Sequence, residues 1–148
     1  MRNKIGLALS GGGTRGLAHL GVLQALKEHQ IPVNAIAGTS MGGLIAGLHA
    51  ADLSVEELID FFSAVGIMDV ATPDRHWRGL FGHKELRQLL IDLLGDEEIT
   101  FAELSIPAAV IAADIETGEM IVLDEGPLVP ALMATSAFPF LVSPVRHR

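Results

Sequence analysis

Two serine- and glycine-rich turns near the start of the chain carry the residues most able to do chemistry. The second, Gly38-Thr39-Ser40-Met41-Gly42, is a Gly-x-Ser-x-Gly sequence that follows the apolar run Val33–Ala37. Between a strand and a helix this spacing forms a nucleophile elbow. The bend is so tight that Gly38 and Gly42 leave no Cβ in the way, and it lifts the Ser40 hydroxyl clear of the sheet. The hydroxyl then stands at a helix N-terminus, where the backbone dipoles favour developing negative charge. The first turn, Ser10-Gly11-Gly12-Gly13-Thr14-Arg15-Gly16, follows the apolar run Ile5–Leu9. Gly11, Gly12 and Gly13 offer N–H groups that a substrate can approach without side-chain obstruction, which is what an oxyanion hole needs. Arg15 either adds positive charge there or pins the loop to a nearby carbonyl. Together the two turns point to a serine acyl hydrolase with Ser40 as nucleophile.

Two other readings of these turns compete. Gly11-Gly12-Gly13-Thr14-Arg15-Gly16 also satisfies the dinucleotide fingerprint G-x-G-x-x-G. That reading requires an acidic residue about 20 positions on, at the end of the next strand, yet no Asp or Glu occurs between Glu28 and Asp52. A Walker A loop is excluded because no Gly-Lys-Ser/Thr is present. The blander alternative is a packing turn with an incidental serine. What weighs against it is context: an apolar strand before, a small-residue helix after and a glycine loop on the neighbouring strand.

The elements that must hold these turns read as strand, helix, strand, helix. Strands are expected at Ile5–Leu9 and Val33–Ala37, with helices over about 16–29 and 41–51. In the second helix Gly43, Ala46, Gly47 and Ala50 recur on one face, which predicts a flat side lying close against a sheet. Strands that are apolar throughout, rather than alternating, imply a parallel sheet covered on both faces. Ser54-Val55-Glu56-Glu57 is a capping box opening a short helix with Leu58, Phe61 and Phe62. An irregular stretch, 66–82, contains Met68, Trp77, Leu80 and Phe81, either an apolar lip for lipid or ordinary core contact; His76 and His83 lie in or beside it. A Leu-striped helix follows at Lys84–Leu94, stopped by Gly95. Ile106–Ala113 is a third core strand. Thr117–Leu123 forms an edge hairpin, and Gly126-Pro127 opens a helix through about Thr135. The last stretch, Ala137–Arg148, reads as extended.

Composition bounds the alternatives. The chain has 148 residues, 49% of them apolar and with 16 glycines, which suits one domain with a substantial core. Its net charge is −8 with scattered basic residues, so neither a nucleic-acid footprint nor a polybasic membrane patch is expected. The absence of cysteine excludes disulfides, thiolate metal sites and a Cys nucleophile, and fits a cytoplasmic location. No run approaches the ~18 apolar residues of a membrane span. The six histidines show no His-x-x-x-His pair, and no metal or organic cofactor is expected.

The motifs Gly11–Gly16 and Gly38–Gly43 resemble those of the patatin-like phospholipases. The segments Ile111-Ala112-Ala113-Asp114-Ile115-Glu116-Thr117-Gly118, Ala134-Thr135-Ser136-Ala137-Phe138-Pro139 and Ser143-Pro144-Val145 extend the likeness over nearly the whole chain. The resemblance implies a three-layer α/β/α fold with a largely parallel central sheet, and hydrolysis of acyl esters in lipids. It further implies transient contact with a membrane surface, a Ser–Asp dyad with Ser40 as nucleophile, and an oxyanion hole on Gly11–Gly13. In that family the aspartate lies in an Asp-Gly-Gly or Asp-Gly-Ala motif after the segment matching Ser143-Pro144-Val145. No Asp-Gly dipeptide occurs here, so residues 1–148 are expected to form the N-terminal portion of a single catalytic domain, poorly active alone, with the base beyond Arg148. Asp114, at the end of a strand, is the internal acid best placed to substitute, but Glu116-Thr117-Gly118 behind it favours a turn-forming role. Asp124 reads as loop structure. His147 is the only histidine placed for a Ser-Asp-His order, while His19 and His49 read as packing or surface residues. A non-catalytic module of the same fold and a nucleotide-binding protein remain the alternatives.

Overall fold

The computed structural model describes residues 4–64 and 83–137. Four strands lie in the order β1 (Gly6–Leu9), β2 (Ala35–Thr39), β3 (Ala108–Ala113) and β4 (Met120–Leu123). The first three are parallel and β4 returns antiparallel to β3, the expected edge hairpin. The helices are α1 (Ala18–Glu28), α2 (Met41–Ala50), α3 (Val55–Ala64), α4 (His83–Leu94) and α5 (Leu128–Ser136). The chain thus belongs to the expected α/β class with a largely parallel sheet.

Register explains why β2 runs two residues later than its apolar pattern suggests. Asn34 is taken up by β1: its N–H donates to the Ile5 carbonyl at 2.7 Å, and its side-chain oxygen accepts from Ile5 N–H at 2.8 Å. Pairing then starts at Gly6 with Ala35 and runs on to Thr39 opposite Ile111. The strand therefore continues to the residue before Ser40. Pro107 delays β3 in the same way, since it has no N–H for a ladder; its carbonyl accepts from Ile36 N–H at 3.0 Å. The first helix is also reshaped, with Gly13–Leu17 winding as a 3-10 turn before α1. Pro127 sits at the N-cap of α5 rather than inside its first turn.

Leu9, Ile36, Val110 and Leu123 lie on one sheet face and are buried with α2 and α5. Helix α2 is buried along almost its whole circumference, with only His49 half-exposed. Its flat side meets both α5 and the sheet: a Cβ on Gly43 would also lie 3.0 Å from the Gly38 carbonyl oxygen of β2. A Cβ on Gly47 would come within 2.6 Å of Leu132, and one on Gly43 within 2.8 Å of the Thr135 hydroxyl. The small residues thus let α2 close on β2, as the flat face predicts, and admit α5 beside it. The opposite sheet face carries Ala8, Ala37, Ala109 and Ile111, with Met120 70% and Val122 48% exposed. Among the described residues no element buries it.

The helix ends follow local chemistry. Ser54 and Glu57 cap α3 reciprocally: Ser54 N–H donates to Glu57 at 2.8 Å, and Glu57 N–H donates to Ser54 Oγ at 3.2 Å. Gly95, at φ 71°, turns the chain out of α4. A second capping box, Thr100 with Glu103, steadies a short 3-10 turn at Phe101–Glu103.

Candidate active site

Ser40 joins β2 to α2 in a conformation few residues adopt. Its backbone lies at φ 54° and ψ −122°, the geometry of the first central position of a type II′ turn, where glycine dominates. A non-glycine residue there stores roughly 1–3 kcal/mol of strain and persists only because its surroundings enforce it. Serine at a helix N-cap ordinarily accepts a bond from the first-turn amides; Ser40 makes no such bond. Among the described residues its half-buried hydroxyl has no hydrogen-bond partner.

Both glycines of the elbow are required by close backbone approach. A Cβ on Gly38 would fall 2.1 Å from the Gly42 carbonyl oxygen, and one on Gly42 would fall 2.4 Å from the Leu9 carbonyl oxygen. The bend can close only with hydrogen at both places. The second contact also ties the elbow to the end of β1, where the glycine loop begins.

That loop reaches Ser40. A Cβ on Gly11 would lie 3.3 Å from the Ser40 Cβ, so the three-glycine run begins beside the serine. Gly12 adopts φ 144° and Gly13 φ 56° as the chain enters the 3-10 turn. The N–H groups of Gly11, Gly12 and Gly13 donate to no backbone carbonyl of the described residues. Arg15 is exposed, and its N–H closes the turn on the Gly12 carbonyl at 3.2 Å. His19 does more than pack: its Nε2 donates to the Ser10 carbonyl at 2.9 Å and clamps the start of the loop to α1. Spacing in the sequence offers no signal for that bond.

The internal acids are engaged elsewhere. Asp114 follows β3 on the same sheet edge as Ser40, but its carboxylate closes its own turn. Oδ1 accepts from Glu116 N–H at 2.7 Å and Thr117 N–H at 3.0 Å. The Thr117 and Glu116 amides hold it below the usual carboxylate range, which makes it a weak proton acceptor. Asp124 follows β4, whose antiparallel run carries it to the opposite edge of the sheet. His147 and the 66–82 stretch lie outside the described residues, as does the expected extended segment from Phe138 onward. Among the described residues no group of His, Asp and Glu is arranged to hold a metal ion, and no helix is long and apolar enough to cross a membrane. A cleft of about 300 Å³ lined by Leu23, Lys27, Val33, His49, Asp52 and Ile106 precedes β2 and β3, at the far edge from Ser40.

An α/β domain with a strained serine between a parallel strand and a helix, flanked by a loop of bare amides, defines a class of elbow-bearing proteins. The Patatin-like phospholipase family model matches residues 7–148, and the chain belongs to that family. It is 31% identical over 144 residues to an uncharacterized NTE family protein of Mycobacterium tuberculosis, covering 95% of this chain and 39% of that protein. Over 61 residues it is 51% identical to lysophospholipase NTE1 of Candida glabrata, covering 41% of this chain and 3% of that protein. Among solved structures, VipD from Legionella pneumophila superposes with a TM-score of 0.74 at 14% identity, covering 99% of this chain and 44% of that one. That similarity is one of fold. The chain thus spans less than half the length of each of these relatives.

Proposed function

We propose that the protein carrying this chain is a serine hydrolase of lipid acyl esters, with Ser40 as its nucleophile. The observation that carries the reading is the Ser40 backbone at φ 54° and ψ −122°, with its hydroxyl unpartnered among the described residues and the Gly11 loop beside it. Family membership supports the substrate class.

In the proposed reaction Ser40 Oγ attacks the ester carbonyl carbon while a carboxylate accepts its proton. The oxyanion that forms takes hydrogen bonds from the N–H groups of Gly12 and Gly13, assisted by Gly11 and Arg15. One such donor is worth about 10²–10³ in rate. The tetrahedral intermediate collapses, the alcohol leaves with the proton, and water attacks the acyl-serine to release the fatty acid. Since Asp114 is committed to its turn and no Asp-Gly dipeptide occurs in the chain, the proposal assigns the base to an aspartate outside residues 1–148. These residues then form the nucleophile-bearing part of a single catalytic domain. The reaction calls on no metal or organic cofactor, and its substrate brings the protein transiently to a membrane surface.

The test is hydrolysis of a lysophospholipid by the full-length protein and its Ser40→Ala variant. Hydrolysis that Ser40→Ala abolishes is the expected result. Hydrolysis that survives the change, or a thermal shift with NAD or an adenylate and no hydrolysis, overturns the reading.

A further inference from the structure

We propose that Thr135 is a positioning residue for the nucleophile, acting through a hydrogen bond to the backbone of Ser40; the inference rests on the reading of Ser40 given above. Thr135, on α5, is 7% exposed and is the one buried polar residue among the described residues. Ser40 N–H donates to its Oγ1 at 2.7 Å, and Oγ1 in turn donates to the Ile111 carbonyl at 2.5 Å. A hydroxyl has a single proton. Because Ile111 O can only accept, that proton is spent there, and a lone pair is turned toward the Ser40 amide.

The bond meets a specific need. β2 ends at Thr39, directly before the elbow, so the Ser40 amide has left the ladder. Its own carbonyl accepts from Leu44 N–H at 2.9 Å as α2 begins, leaving only the amide side of Ser40 to be fixed. An unpaired buried amide costs about 1–3 kcal/mol, and nothing else described holds it. Thr135 thus ties a strained peptide to β3 through Ile111, which pairs with Thr39 in the sheet register. Thr39, Ser40, Thr135 and Ile111 close a ring around the elbow. Gly43 makes the room: a Cβ there would lie 2.8 Å from Oγ1 and 2.9 Å from the Thr135 methyl.

Rotation of the Thr39–Ser40 peptide swings the Ser40 Oγ relative to the glycine loop. Loss of the bond should therefore slow attack without weakening substrate binding. Thr135→Val preserves shape and removes the acceptor; Thr135→Ser keeps the acceptor and loses the methyl. The experiment uses full-length wild type, Thr135→Val, Thr135→Ser and Ser40→Ala. It reads kcat and KM for a short-chain p-nitrophenyl ester and the ¹⁵N–¹H shift of the Ser40 amide. Thr135→Val is expected to lower kcat by up to about 10²-fold with KM little changed, and to move the Ser40 amide upfield. Thr135→Ser is expected to retain most of the activity and the wild-type shift. Wild-type kcat in Thr135→Val, an unmoved Ser40 amide, or equal losses in the two variants would overturn the proposal while Ser40→Ala remains inactive. Activity in Ser40→Ala would instead overturn the nucleophile reading beneath it.

Discussion

Gly42 stands against the end of β1 so closely that a Cβ on it would lie 2.4 Å from the Leu9 carbonyl oxygen and 2.6 Å from that of Ser10. Both atoms are backbone at the root of the glycine loop, so neither can rotate away. Gly42→Ala is expected to destabilise the domain by at least about 2–3 kcal/mol, and to separate the elbow from the loop. Chemical denaturation checks the first part; an unchanged midpoint would show that the elbow has slack the geometry denies.

Gly47 offers the contrast within the same helix. A Cβ there would meet the Leu132 side-chain tip at 2.6 Å, and a leucine tip can move. Helix propensity favours alanine over glycine by about 1 kcal/mol, which offsets most of the crowding. Gly47→Ala should shift stability by less than about 1 kcal/mol in either direction and leave the Ser40 site intact. The same denaturation experiment reads it.

Ser40 holds its backbone at φ 54° and ψ −122° against its own Cβ. Glycine accepts this geometry freely, so Ser40→Gly should abolish nucleophilic activity and yet raise stability, by about 1 kcal/mol once the greater freedom of the unfolded glycine is subtracted. A melting temperature above wild type checks it. A clear fall would mean that the serine side chain is making a stabilising contact.

Asp114 sets an acid limit on its turn. The Thr117 and Glu116 amides lower its pKa from the ordinary 3.8, so the folded state favours the carboxylate. Its contribution to stability is complete above that ordinary value and is lost as pH falls through the lowered one. Asp114→Asn keeps an acceptor but no charge. It should therefore melt below wild type near neutral pH, with the gap closing below about pH 4. Melting curves at pH 7 and pH 3 decide; a gap that stays constant would show that the charge is not what holds the turn. Hydrolase activity at neutral pH should survive the change, since Asp114 is assigned no part in the reaction.

Much of this arrangement is legible from residue types alone. The run Ile5–Leu9, the Ser54–Glu57 box and the Gly38–Gly42 spacing each carry a local signal, and local physics decides them. Where tertiary pairing decides, the pattern misleads: Val33 looks like strand, but Asn34 spends both its backbone and side-chain groups on Ile5, and β2 slides to Thr39. The glycine and alanine stripe on α2 announces the close approach to the sheet at Gly38, but not that α5 also packs against it at Gly43 and Gly47. Thr135 lies 95 residues from Ser40 in the chain, and its part in the elbow follows only from how α5 lands on β3. His19 is similar, a helix residue whose bond to Ser10 no periodicity foretells.

The claim on which the account turns is that Ser40 is an activated nucleophile. A fluorophosphonate reacts covalently with such a hydroxyl, and mass mapping of the peptides locates the adduct. The full-length protein should carry one adduct, on Ser40, lost in Ser40→Ala. No adduct, or an adduct on any other residue, would contradict it.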